Sequence, residues 1–574
     1  MYSTQSRRAS ARAAFWLLAL AILAPLAEAA GNEAVEGEKG MVASRSLLAS
    51  LVGKLIMQDY GGNAIDAAVA TGFALAVVYP SAGNIGGGGF MVIRLADGTI
   101  VTNDHRERAP AAATRDMFLG PDGQVVKGRS TESHLAAGVP GTVAGLLDVL
   151  EKYGTLPRKK VLAPAINLAL KGFRIDADLA NDIESEKAVL ARHPSSARIF
   201  VKKDGTPFKD GDFLVQHDLG VTLERIAARG RDGFYDGPTA DLIVAEMQRG
   251  GGLITKADLK DYKSVWREPV LGEYRGYEIA SMPPPSSGGA LLVEMLNMLE
   301  PYDLRAMGFG SADAIHLMIE AERRAYADRA QHLGDSDFYP VPLATLIDKA
   351  YAKSRFADFD PKHASASTAI GPGQIAEHPN TTHISVMDGK GDAVAYTTTL
   401  NLSYGSKIVV DGAGFLLNDE MDDFSSKENT PNAYGLLGRE ANEIAPGKRM
   451  LSSMTPTIVL DEQKRPMLVT GSPGGSTIIT TVLQVVVNVI DHQMSVADAV
   501  EAPRFHHQWM PDRVVYERYG ISPDTLAMLR ERGHQNVGVL PFDRGIGDAN
   551  SVMRVGTLLY GISDPREQGG AVGY

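Results

Sequence analysis

A chain of 574 residues that is 44% hydrophobic and 22% charged can bury a large core, and these proportions exclude a disordered or fibrous protein. Its formal net charge is −12, with no basic stripe, which argues against nucleic acid as a partner. It has no cysteine, so thiolate catalysis, thiolate metal sites and disulfides are excluded.

The chain opens with Arg7, Arg8 and Arg12, an apolar run over 13–26, and Ala27-Glu28-Ala29, a small-x-small cleavage pattern. The run is shorter than the roughly 20 residues a membrane span needs. Residues 1–29 therefore read as a secretory signal, with an uncleaved anchor as the second reading. The paired arginines hint only weakly at twin-arginine export, because no apolar residues follow them directly. The mature protein is expected to be periplasmic or secreted, with no membrane association after signal removal.

Periodicity predicts helices over 46–57 and 63–78, the second Ala-rich and buried. A glycine run, 86–89, precedes a strand over 90–95, and a turn leads to a second strand over 99–104. That run lacks the Gly-Lys-Ser/Thr continuation and the strand-loop-helix order of a phosphate loop, so close backbone packing is the better reading. Arg106 falls just past the hairpin. Residues 130–365 read as mostly helical, with charged residues on exposed faces, and 363–379 reads as a linker. Strands are predicted over 381–387 and 393–399 around the turn Asp388-Gly389-Lys390-Gly391-Asp392. A second hairpin spans 455–460 and 467–470. Gly471-Ser472-Pro473-Gly474-Gly475 then leads into a helix over 477–490. Clustered strands with helices outside predict a layered α+β sandwich.

A threonine hydroxyl becomes a nucleophile when a base takes its proton, and a freed α-amine can be that base. For Thr381 this requires the Asn380–Thr381 bond to be cut, by attack of the Thr381 hydroxyl on the preceding carbonyl. Taken alone, Thr381-Thr382 is an ordinary strand start, since Thr is a good strand residue. Gly474-Gly475, at a strand-to-helix turn, presents unsatisfied N–H groups suited to an oxyanion, although an ordinary tight turn is the default. Ser452 and Ser453 could bind a carboxylate, with Arg106 completing the grip. The run 418–423 carries Asp419, Glu420, Asp422 and Asp423. A solvated acidic turn is its usual explanation, and a substrate ammonium suits it better than a metal. His506-His507 reads as structural, because adjacent strand residues face opposite ways. No metal or cofactor is implied.

The motifs Gly83-Asn84-Ile85-Gly86-Gly87-Gly88-Gly89-Phe90-Met91, Met282-Pro283-Pro284-Pro285-Ser286-Ser287-Gly288-Gly289, Thr381-Thr382-His383, Leu417-Asn418-Asp419-Glu420-Met421-Asp422-Asp423-Phe424, Leu451-Ser452-Ser453-Met454-Thr455-Pro456-Thr457-Ile458 and Gly471-Ser472-Pro473-Gly474-Gly475-Ser476 occur in this order. Together they resemble the gamma-glutamyltransferase (gamma-glutamyl transpeptidase) family of N-terminal nucleophile hydrolases. The resemblance implies a four-layer αββα sandwich, self-cleaved into a large subunit, 30–380, and a small one, 381–574. The two entwine as a heterodimer forming one composite domain. It implies Thr381 as self-cleaving group and nucleophile, Thr399 as its orienting partner, and Gly474 and Gly475 as oxyanion hole. It assigns the substrate α-carboxylate to Arg106, Ser452 and Ser453, and the α-ammonium to Asn401, Glu420 and Asp423. Tyr434 matches a lid-loop tyrosine. Glu420 stands where other members can carry Gln. The implied substrates are glutathione and other gamma-glutamyl compounds, with water, an amino acid or a dipeptide as acceptor. The alternatives are a glutaryl (cephalosporin-type) acylase of the same fold and, in another class, a non-catalytic extracytoplasmic amino-acid-binding protein.

Overall fold

Two seven-stranded sheets, all of whose pairings are antiparallel, form the middle of the protein in a computed structural model that describes residues 33–370, 381–427, 430–541 and 544–574. The expected signal at 1–29 and Asn380 lie outside the described residues. The first sheet runs Gly570–Gly573, Gly40–Ser44, Thr381–Asp388, Ala393–Thr399, Gly88–Arg94, Ile100–Asp104, Val265–Arg267. The second runs Val35–Gly37, Leu558–Ile562, Ser551–Val555, Pro466–Thr470, Thr457–Leu460, Tyr277–Ser281, Val270–Tyr274.

Side-chain alternation sorts these strands into layers. Phe90, Val92, Met387, Ala393 and Ala395 of the first sheet meet Ala280, Ile458, Val469 and Val552 of the second in a shared core. The opposite faces are apolar too. Met91, Ile93, Val394 and Tyr396 pack with the helices Leu47–Gln58 and Ala64–Val78, while Val459 and Leu468 pack with Gly288–Leu299, Ala312–His332 and Thr477–Ile490. The result is the four-layer αββα sandwich of the α+β class.

The Ala64–Val78 helix is buried along its whole length and starts from a capping box in which Asn63 and Asp66 satisfy each other's backbone N–H groups. The predicted hairpins are present as Gly88–Arg94 with Ile100–Asp104, Thr381–Asp388 with Ala393–Thr399, and Thr457–Leu460 with Pro466–Thr470.

The stretch 130–365 is mostly helical, as expected, with Val265–Arg267, Val270–Tyr274 and Tyr277–Ser281 as strands within it. Two expectations need correction. The charged residues of that stretch are not all on exposed faces, since the Ala312–His332 helix buries Glu320, Glu322, Arg323 and Arg324. The expected linker begins docked, since Ser367 is buried and its N–H donates to Asp512 at 2.8 Å, while 371–379 lie outside the described residues. Among the described residues, no helix is long and apolar enough to cross a membrane.

Both sheets mix strands from either side of residue 380. Thr381–Asp388 pairs with Gly40–Ser44, and Ala393–Thr399 with Gly88–Arg94. A cut beside Thr381 therefore leaves both pieces hydrogen-bonded through the sandwich.

Candidate active site

Thr381 begins its strand opposite Thr399, and its hydroxyl lies 3.3 Å from the Thr399 hydroxyl. The Thr399 hydroxyl also accepts the Asn401 backbone N–H at 2.8 Å, which fixes it at the strand end. The glycine run is packed for this purpose: a Cβ on Gly87 would stand 2.0 Å from the Thr399 carbonyl oxygen. His383 is a structural residue. Its ring nitrogens meet Thr397 and Ser385, and burial pushes its pKa down to about 3, so it stays neutral.

Thr381 opens into a small pocket of about 20 Å³ lined also by Arg106, Thr399, Asn401, Glu420, Asp423, Tyr434, Ser452, Ser453 and Gly475. These residues come from parts of the chain more than 300 positions apart. Arg106 is set by the turn after its strand, where its N–H donates to Asp104 at 3.0 Å. Its guanidinium pairs with Glu420 and Asp423 and donates to the Met450 carbonyl at 3.2 Å. The acidic run is therefore not a solvated turn: Asp419, Glu420 and Asp422 are buried, and Arg106 supplies the opposite charge. Glu420 is pushed up to about 7 by burial, with the Asp423 charge adding to the rise and Arg106 opposing it. The Asn401 Oδ1 atom is buried without a donor among the described residues, and Asn401 lines the pocket.

The Pro-Pro-Pro-Ser-Ser motif, which had no assigned role, moulds the serine turn. Ser452 donates its N–H to the Pro285 carbonyl, and its own carbonyl accepts from Ser287 N–H and hydroxyl at 2.9 and 2.7 Å. Asn432 holds Asp423 at 2.9 Å and accepts the Tyr434 N–H at 3.0 Å, while the Tyr434 hydroxyl donates to the Asn401 carbonyl at 2.6 Å. The Tyr434 ring lies against Gly475, where a Cβ would stand 2.4 Å from the ring. A Cβ on Gly474 would point toward Thr477 and Gly547, and Gly475 is the glycine of the pair that lines the pocket.

Several neighbours were missed in the sequence. Leu436, Met454 and Ile478 add an apolar wall. Glu107 is fully buried 3.7 Å from Arg106, and burial with the Glu420 charge pushes its carboxyl well up. Arg329 reaches Ser453. For Glu107 a signal existed, since it sits inside Asp104-His105-Arg106-Glu107-Arg108.

One cluster has the composition of a metal site: ligand atoms of His316, Glu320 and His534 lie within 4.8 Å of one another. It is internally satisfied. His316 Nδ1 lies 2.8 Å from His534 Nε2, and Glu320 pairs with both Arg323 and Arg324.

Residues 49–574 match the family model for gamma-glutamyltranspeptidase. The chain belongs to the gamma-glutamyltranspeptidase family. A glutathione hydrolase proenzyme of Escherichia coli (strain K12) is 53% identical over 537 residues, covering 93% of this chain and 91% of that relative. Among solved structures, a cephalosporin acylase from Bacillus halodurans superposes with a TM-score of 0.83 at 25% identity, over 100% of this chain and 99% of that one. A chain of the Helicobacter pylori gamma-glutamyltranspeptidase, 47% identical, is matched over all of its length and 62% of this chain, with a TM-score of 0.57. Gamma-glutamyltranspeptidase membership accounts for the order of motifs, and the acylase likeness shows how widely the sandwich is shared.

Proposed function

We propose that the protein is a self-processing gamma-glutamyltransferase and glutathione hydrolase. The observation that carries this reading is one pocket lined by the Thr381 hydroxyl, the Arg106 guanidinium and the Glu420 and Asp423 carboxylates paired with it, so that both signs of charge stand beside the nucleophile. A gamma-glutamyl group bears a carboxylate and an ammonium on one carbon, several bonds from its reacting amide, so it needs both signs at fixed places.

In this reading the Thr381 hydroxyl attacks the Asn380 carbonyl, an ester forms, and water opens it. The cut leaves subunits 30–380 and 381–574 as one entwined heterodimer. The new α-amine, with an ordinary pKa of about 7.7–8.0, takes the hydroxyl proton as Thr381 attacks the gamma-glutamyl amide, and passes it to the leaving amine. Gly474 and Gly475 N–H groups receive the oxyanion. Arg106, Ser452 and Ser453 hold the α-carboxylate, Asn401, Glu420 and Asp423 the ammonium, and Tyr434 covers the site. Water, an amino acid or a dipeptide then takes the acyl group from Thr381. Residues 1–29 direct the protein to the periplasm or beyond.

The glutaryl acylase is the reading to exclude, and substrate preference does so. A gamma-glutamyl anilide is expected to give a higher kcat/KM than a glutaryl anilide, because the latter lacks the ammonium that the carboxylates attract. A preference for glutaryl would reverse the assignment.

The Glu420 carboxyl makes a pH prediction. It is anionic above about 7 and neutral below, so attraction for the ammonium weakens as pH falls. The α-amine must also be unprotonated, so log kcat/KM should fall on the acid side with a slope of about one, steepened near pH 7 where Glu420 is neutralised. In Glu420→Gln, which resembles the neutral carboxyl, the extra steepening near pH 7 should disappear and a slope of about one remain. An unchanged limb would show that Glu420 does not titrate in the free enzyme.

A further inference from the structure

Arg329 sits in the last turn of the Ala312–His332 helix, only 5% exposed, behind the serine turn of the pocket. Its Nε donates to the Ser287 hydroxyl at 2.9 Å and its Nη2 to the Ser453 hydroxyl at 3.1 Å. Arg106, Arg323, Arg324 and Arg504 are also buried, and each has a carboxylate partner. Arg329 has none within 4.0 Å among the described residues. A buried cation without a counter-charge is costly, so it is a poor choice for a purely structural position.

Its hydrogen bonds have a direction. The Ser453 oxygen accepts from Arg329, which leaves the hydroxyl proton free to be donated elsewhere. The Ser287 hydroxyl accepts from Arg329 and donates to the Ser452 carbonyl. In a trans peptide the following N–H, that of Ser453, then points away from Ser287. One guanidinium thus aims both the hydroxyl and the N–H of Ser453. Arg106, meanwhile, is already paired with Glu420 and Asp423.

We infer that Arg329 is the positioning cation of a subsite for the substrate's α-carboxylate: it orients Ser453 as a donor and supplies the positive charge that the carboxylate balances. This rests on the gamma-glutamyl reading of the pocket. Burial, with the Arg106 charge adding to it and Asp423 opposing, pushes the Arg329 guanidinium down to about 10, still protonated at working pH and open to stabilisation by an incoming anion.

Three anilides separate this role from plain packing: gamma-glutamyl, with carboxylate and ammonium; glutaryl, with the carboxylate only; and 4-aminobutyryl, with the ammonium only. Each is measured as a substrate or, where turnover is too slow, as a competitive inhibitor. In Arg329→Met, affinity for the first two should fall about 10- to 100-fold, mainly in KM, as for loss of hydrogen bonding to a charged group. The 4-aminobutyryl compound should be unaffected. Arg329→Lys keeps the charge and should recover part of the loss. If the Met variant stays uncut, the Lys variant carries the comparison, with a smaller loss confined to the carboxylate-bearing pair. Equal losses on all three compounds in either variant would overturn the inference. A wild-type preference for glutaryl would instead overturn the gamma-glutamyl reading, and a carboxylate-selective loss would still support Arg329.

Discussion

Replacing Thr381 by Ala should give one uncut chain of about 58 kDa after signal removal, in place of fragments of about 37 and about 21 kDa scaled by residue count from 61.3 kDa, with kcat lower by ~10⁶-fold or more. One oxygen performs both steps, so both fail together. The fold should survive, because Thr381 is the first of seven paired residues in its strand hairpin and the substitution removes a single 3.3 Å hydrogen bond. Thr381→Ser keeps the oxygen and should still yield two bands. A denaturing gel, an anilide assay and N-terminal sequencing of the small fragment, expected to begin Thr-Thr-His-Ile, check all of this. Splitting of the Ala variant at the same bond would show that another group cuts the chain. A single band in active wild-type protein would remove the N-terminal amine from the mechanism.

The parts of this site that were readable in sequence are those whose chemistry is local. Thr381, the serine pair and the Gly-Gly turn each sit in a short motif beside a recognisable hairpin or helix start. What was hidden depends on distant partners. The strand Val265–Arg267 pairs with Thr102–Asp104, about 160 positions away, and Gly40–Ser44 is buried on both faces, so no clean two-residue alternation marks it. Local composition also misleads at the acidic run. Four acids in six residues look solvated until Arg106, over 300 positions earlier, is folded against them. Arg329 is the same case in a helix. Its charge reads as a polar face, yet the Ala312–His332 helix is buried along most of its length.

Gly474→Ala should lower kcat about 100- to 1,000-fold with little change in KM, the loss typical of a displaced oxyanion donor. Two facts about the turn lead there. Gly474 has φ of +133°, a conformation L-residues rarely adopt, and a Cβ would stand 2.3 Å from the Thr477 hydroxyl, which donates to the Gly474 carbonyl at 2.8 Å. The turn must move to accept the methyl group, and its N–H groups move with it. Since a Cβ on Gly474 would point toward Thr477 and Gly547, ground-state binding should hardly change, which separates kcat from KM. Gly475→Ala should differ. Its φ of +54° is also in the left-handed region, but its Cβ would press on Tyr434, so KM should rise as the lid is displaced. A Gly474→Ala enzyme with normal kcat would mean that the oxyanion is held elsewhere. If instead both substitutions raise KM alike, the turn acts as a wall of the pocket and not as a donor.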